Sequence, residues 1–261
     1  MFTETVIWSG FAVFLIMNMF YGLAMWQKNA GLVDIAWGLG FVAVAWSLLL
    51  STSTLTSTQI IITSLITIWG ARLAWHLGRR NIGQPEDWRY AQMRKDWGKA
   101  YWWRSYLMIF MFQGLLMLII SAPTIVAFAS LQEQTISILA YLGVLVWTFG
   151  FVIETIADGQ LRDFMARKKA GKTKSKFLTT GLWRYSRHPN YFGEATQWWG
   201  LWLVVSSLPY GLWALASPLL ITYLILYVSG VPMLEKKFSK DKSWRVYASK
   251  TSKFVLLPPR S

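Results

Sequence analysis

The chain has no cysteine among its 261 residues. Thiolate nucleophiles, disulfides and cysteine-ligated metals are thereby excluded. Histidine is nearly absent as well: His76 and His188 are the only two, too few for a histidine-built metal centre. Charge is scarce, at 15% of residues, and acidic charge scarcer, with 12 Asp and Glu against 26 Lys and Arg. Familiar catalytic strings are missing too. There is no phosphate-binding P-loop, no His-Glu metalloprotease motif and no Gly-x-Ser-x-Gly elbow. Gly38-Leu39-Gly40 sits inside an apolar run with no strand before it, so it reads as close helix packing rather than a dinucleotide fingerprint.

What is present is apolar and aromatic. Hydrophobic residues make up 54% of the chain, 17 of them Trp, and the mean hydropathy is +0.36. Such a composition belongs in a bilayer. Seven apolar runs follow one another, at about 5–25, 34–51, 59–78, 105–129, 136–158, 190–207 and 212–231, with Pro123 expected to kink the fourth. The first lacks a basic leader and a small-residue cleavage site, and reads as a retained span. The expectation is an all-α polytopic membrane protein, a seven-transmembrane-helix bundle forming a single membrane-embedded domain over 1–261.

The formal charge of +14 is distributed in a pattern. Seven of the basic residues lie in the connection 79–104, nine in 159–188 and eight in the tail 232–261, while the turns near 51–58, 130–135 and 208–211 carry none. Seven spans put every basic segment on one side. The excess of Lys and Arg marks the cytoplasmic face, so the N-terminus is expected outside and the C-terminus in the cytoplasm. Basic residues placed between spans, rather than on a separate domain, also argue against a nucleic-acid partner.

The ionisable groups within the runs gather in the cytoplasmic half. They are Asp34, the pair Arg72 and His76, the series Glu154, Asp158 and Arg162, then Glu194, with Glu235 just beyond the last run. Groups of this kind face a bundle interior or a wet cavity and pair with one another. Structural ion pairs account for any single one; the whole set reads as a polar pocket open to the cytoplasm. A transporter would need polar groups reaching both sides, which this one-sided set does not supply.

The most informative stretch is 181–198. Pro189 suits the first turn of a helix. Asn190, Glu194 and Gln197 then share a helical face, with Arg184, Arg187 and His188 at its mouth as an anion clamp. Planar guanidinium groups suit bidentate contacts to phosphate better than the lysines of 167–176 do. A second mixed stretch, Gln84-Pro85-Glu86-Asp87-Trp88-Arg89-Tyr90, combines charge with rings able to anchor at the interface or stack on a base.

The string Arg187-His188-Pro189-Asn190-Tyr191-Phe192-Gly193-Glu194 resembles the C-terminal signature of the steroid 5-alpha-reductase-like family of membrane enzymes. The Glu86-Asp87-x-Arg89-Tyr90 string is typical of its largely uncharacterised bacterial branch. The resemblance implies a membrane-embedded, NADPH-dependent reductase of a carbonyl-conjugated C=C bond in a hydrophobic lipid or steroid-like substrate, in a bacterial inner membrane. It implies a cofactor region mainly within 154–261, with phosphates on Arg162, Arg184 and Arg187 and the nicotinamide amide on Asn190 and Glu194. Arg80, Arg89, Tyr90, Asp158, Tyr185, His188 and Tyr191 are expected around the same cofactor. Asp34, His76 and Glu194 are the expected catalytic groups. By position, Asp34 and Trp69 stand where the steroid reductases carry a glutamate and a tyrosine; the indole at 69 departs from that pattern. A related string occurs in isoprenylcysteine carboxyl and phospholipid methyltransferases. The alternative is therefore an S-adenosylmethionine-dependent enzyme, with the sulfonium beside Glu194 or Glu235 and the tail, through Trp244 and Tyr247, closing over it.

Overall fold

Apolar runs in a bilayer can satisfy their backbone groups internally only as helices or closed barrels. The computed structural model, which describes residues 2–130 and 135–260, takes the helical route, with no named strand among those residues. Among the described residues, six stretches are long and apolar enough to cross a membrane: Phe2–Gln27, Ala30–Ser51, Ser57–Asn81, Trp88–Ile120, Ile138–Lys169 and Trp213–Phe238. The run expected to span at 190–207 is also a helix, Pro189–Val205, of 17 residues. At 1.5 Å per residue it is about 25 Å long, short of a hydrocarbon core of about 30 Å. The chain divides into two compact units, Met1–Ala140 with Val204–Ser217, and Tyr141–Leu203 with Pro218–Ser261.

The first unit begins with α1 (Phe2–Gln27) and α2 (Val33–Ser51), joined by a 3-10 turn whose entry is capped by Asn29 accepting from the Gly31 N–H. Next comes α3 (Ser57–Asn81), started by a reciprocal capping box between Thr56 and Gln59. α2 and α3 meet at Gly38 and Gly70. A Cβ on either would lie 2.6 Å from the other's carbonyl oxygen, so the small-residue packing expected at Gly38 is realised.

The basic segment 79–104, expected as a loop, is mostly helical. Only 82–87 separates α3 from α4 (Trp88–Trp97), and the chain continues through α5 (Tyr101–Ser105), a π-helical stretch Tyr106–Met111 and α6 (Phe112–Ile120). The physical cause is Asp87, whose carboxylate accepts the Arg89 N–H and starts a helix inside a run of charges. Pro123 does not kink a continuous helix. The helix stops at Ser121, and Pro123 falls in the first turn of α7 (Ala122–Ala129), where a missing N–H costs little. Of the turn expected at 130–135, residues 131–134 lie outside the described residues.

In the second unit α8 (Ile138–Lys169) runs 32 residues and continues well past the expected loop start at 159. Its basic last turn complements the helix dipole, and Gly171, at φ +70°, ends it. α9 (Pro189–Val205) crosses α8 at Gly150 and Gly193, where a Cβ on either would meet the opposing carbonyl oxygen at 2.6 Å. α10 (Ala216–Tyr223) passes through a π-helical stretch Leu224–Val228. The basic tail then folds as two short helices, α11 (Val231–Phe238) and α12 (Lys242–Lys250).

Candidate functional site

In the second unit the signature begins at Gly181, whose φ of +64° and whose packing against the Gln160 side chain both favour glycine. Gln160 Oε1 accepts the Leu182 N–H at 3.0 Å, and the Trp183 indole donates to the Ala157 carbonyl at 3.1 Å. These two bonds seat the 3-10 turn Gly181–Arg184 on α8. The next residues pair with the C-terminal segment. The Arg187 N–H donates to the Ser252 carbonyl at 2.9 Å, the Ser186 hydroxyl to the Phe254 carbonyl at 2.7 Å, and the Leu257 N–H to the Tyr185 carbonyl at 3.1 Å.

Arg187 is buried, and four of its five N–H groups are engaged within the unit. Nε and Nη2 form a fork on Glu235 at 2.8 and 3.2 Å, while Nη1 donates to the Ala248 and Thr251 carbonyls at 2.8 and 2.6 Å. His188, also buried, places Nε2 3.0 Å from the same Glu235 and lays its ring parallel to Tyr191 at 5.7 Å. The expected face of α9 is present and meets α8 side chain to side chain. Asn190 donates to Asp158 at 3.1 Å and Gln197 to Glu154 at 2.6 Å, with half-buried Glu194 between them in sequence.

Of the arginines expected to hold phosphate, Arg162 and Arg184 are exposed, as is Tyr185; Arg162 lies 3.7 Å from Asp163. Trp244 and Tyr247 are tied to the unit itself. Trp244 is buried 5.0 Å from Phe177 and 5.1 Å from Phe238, and the Tyr247 hydroxyl donates to the Trp183 carbonyl. Burial raises the Tyr247 hydroxyl well above an ordinary phenol, so it stays protonated.

In the first unit Asp34 occupies the first turn of α2, 3.5 Å from the Asn81 amide and 3.7 Å from Arg80. His76 is half-buried on α3, one turn before Arg80. Arg89 forks onto Asp87 at 2.8 and 3.3 Å and lies over the Tyr90 ring at 5.4 Å. Burial would lift the Asp87 carboxyl, but the hydrogen bonds and charge of Arg89 outweigh it and hold the group below its usual range. Buried Tyr90 hydrogen-bonds Gln113, which also accepts from the Trp37 indole. Trp69 is buried 5.6 Å from Phe41, within the packed core. An apolar cavity of about 150 Å³ opens between α1 and the π-helical stretch with α6, lined by Val13, Phe14, Met17, Met111, Leu115 and Leu118.

The sequence reading missed Glu86, Gln160 and Ser186. Glu86 accepts the Ala30 N–H at 2.8 Å and takes Arg94 in a fork, which pins the 82–87 connection to the entry of α2. Its place in the Glu86-Asp87-x-Arg89-Tyr90 string was the available signal. For Gln160 and Ser186, whose partners are backbone groups, no sequence pattern marked them.

The chain matches, over residues 20–251, the family described as "Protein of unknown function (DUF1295)". It is similar to an uncharacterised protein of Schizosaccharomyces pombe, 28% identical over 272 residues, covering 92% of this chain and 76% of the relative. No solved structure matches it.

Proposed function

The chain belongs to the DUF1295 family, which is steroid 5-alpha-reductase-like in general, and from that membership we propose that it is a membrane-embedded NADPH-dependent reductase of a carbonyl-conjugated C=C bond in a lipid-like substrate. The observation that carries the reading is the ordered signature. The loop 181–188 is fixed on both sides, and the face of α9 beyond it presents Asn190, held by Asp158, and half-buried Glu194. The donor set fits a dinucleotide. Exposed Arg162 and Arg184 suit phosphates, Tyr185 a flat ring, and an amide next to a carboxylate suits a nicotinamide carboxamide, which needs both an acceptor and a donor. When bound, the reduced nicotinamide supplies the hydride. The protein's part is to orient that ring through Asn190 and Glu194.

Glu235 bears on the methyltransferase alternative. Its charge is already matched by the Arg187 fork, and His188 Nε2 lies 3.0 Å from the same carboxylate, so Glu235 is poorly placed to receive a sulfonium. The reading includes seven crossings with the N-terminus outside, one functional domain over 1–261, and a pocket facing the cytoplasm of a bacterial inner membrane. The direct test incubates the purified protein with enone lipids and NADPH deuterated at the transferable position. Deuterium recovered on the β carbon is the expected result. Methyl transfer from S-adenosylmethionine with no deuterium transfer would overturn it.

A further inference from the structure

We propose that Arg187 and Glu235 are positioning residues that strap the C-terminal segment 251–257 onto the signature loop, and that Arg187 supports ligand binding through this strap rather than by touching a phosphate. The ligand-binding half of the statement rests on the function proposed above; the strap itself does not.

A helix leaves its last carbonyls without intrahelical partners. At the end of α12 those of Ala248 and Thr251 are taken by Arg187 Nη1, at 2.8 and 2.6 Å. The other edge of the same guanidinium grips Glu235 on α11. One planar group thus joins both tail helices to the residue two before α9, and its rigid fork is what makes three attachments compatible. His188 holds Glu235 from a second side at 3.0 Å. Once α12 is fixed, the chain after it runs beside the signature: Ser252 accepts from the Arg187 N–H, Phe254 from the Ser186 hydroxyl, and Leu257 donates to Tyr185. Ser186 and Ser252 form an isolated parallel bridge. The loop from Tyr185 to His188 therefore has α8 behind its start and the strap along its length. Asn190 and Glu194 take their positions from the helix that this loop launches.

A guanidinium with four of its five N–H groups occupied and its side chain 9% exposed has little left to offer an external anion. A lysine at 187 keeps the charge but not the fork, which separates the two roles. The experiment compares wild type, Arg187→Lys, Glu235→Gln and a chain ending at Lys250, all in detergent. Amide hydrogen exchange is followed at 185–188 and 252–257, and the Kd for NADPH is measured in parallel. The expected result is that both substitutions speed exchange at Arg187 and Leu257 about tenfold or more, with α8 unchanged. Both substitutions and the shortened chain should also weaken NADPH by about tenfold. Unchanged exchange in both variants would overturn the strap. A shortened chain that binds NADPH as well as the full one, or a lysine variant that keeps both affinity and protection, would overturn the positioning role. If wild type binds no nucleotide, the proposed function falls, while the exchange at 187 and 257 still decides the strap.

Discussion

At the scale of single residues, the chemistry follows from which side chains are already committed. Asp87 is a clear case. Its carboxylate starts α4 by accepting the Arg89 N–H at 3.0 Å and also binds the Arg89 guanidinium. Replacing it with alanine is expected to cost about 1 kcal/mol, the usual worth of an N-cap, read as a lower Tm with faster exchange over 88–97. The pH dependence has a definite sign. The folded carboxyl is held below its usual value, so its contribution is complete above the unfolded pKa near 4 and is lost as the pH falls. The difference in Tm between wild type and Asp87→Ala should therefore shrink on acidification. The same scale shows what a sequence can and cannot display. Asn190, Glu194 and Gln197 were legible as one face because Pro189 set the register and the helix period did the rest. The partners of Arg187 were not, since two of them are main-chain carbonyls, and every residue carries one of those.

At the scale of elements, apolar composition located the helices but not their ends. A hydrophobic run says where a helix must be buried; whether it continues through charged residues depends on capping and on what the next segment binds. Hence α8 runs on to Lys169, with three basic residues in its last turn, and the supposed loop 79–104 became helix from Trp88. Glycine at a helix crossing was legible at Gly38 because it lay in an otherwise apolar run. Gly193, at the crossing of α8 and α9, was hidden within the signature, where it stood only as one letter of the string. The crossing of α8 and α9 gives a sharp test. A Cβ at Gly193 would lie 2.6 Å from the Gly150 oxygen and 2.7 Å from the Glu154 nitrogen, both backbone atoms that cannot step aside. Gly193→Ala should cost about 1–3 kcal/mol, the range for overpacking. Gly22→Ala, on α1 with nothing within 4 Å of the added carbon, should leave Tm unchanged or raise it. Equal effects of the two substitutions in a thermal melt would contradict the close crossing.

At the scale of the whole molecule, six helical stretches among the described residues fit a bilayer by length and composition, and the proposed topology puts the basic connections on the cytoplasmic side. The absence of cysteine makes this directly testable, because single introduced thiols will be the only ones present. With a thiol reagent that cannot cross membranes, Thr54→Cys, between α2 and α3, should label in intact cells. Thr173→Cys, just after α8, should label only once the membrane is opened. The reverse pattern would invert the topology. The account's central claim is that the ordered signature holds a nicotinamide dinucleotide, and ligand-induced stabilisation tests it most directly, since a ligand that binds only the folded state raises its apparent stability. The measurement is the thermal shift of the detergent-purified protein with NADPH, NADH and S-adenosylmethionine, in wild type, Asn190→Ala and Glu194→Gln. The account predicts that NADPH raises Tm in wild type, and that either substitution removes most of the shift, read against each variant's own ligand-free Tm because Asn190→Ala also takes a partner from buried Asp158. A shift with S-adenosylmethionine alone, or an NADPH shift that survives both substitutions, would contradict it.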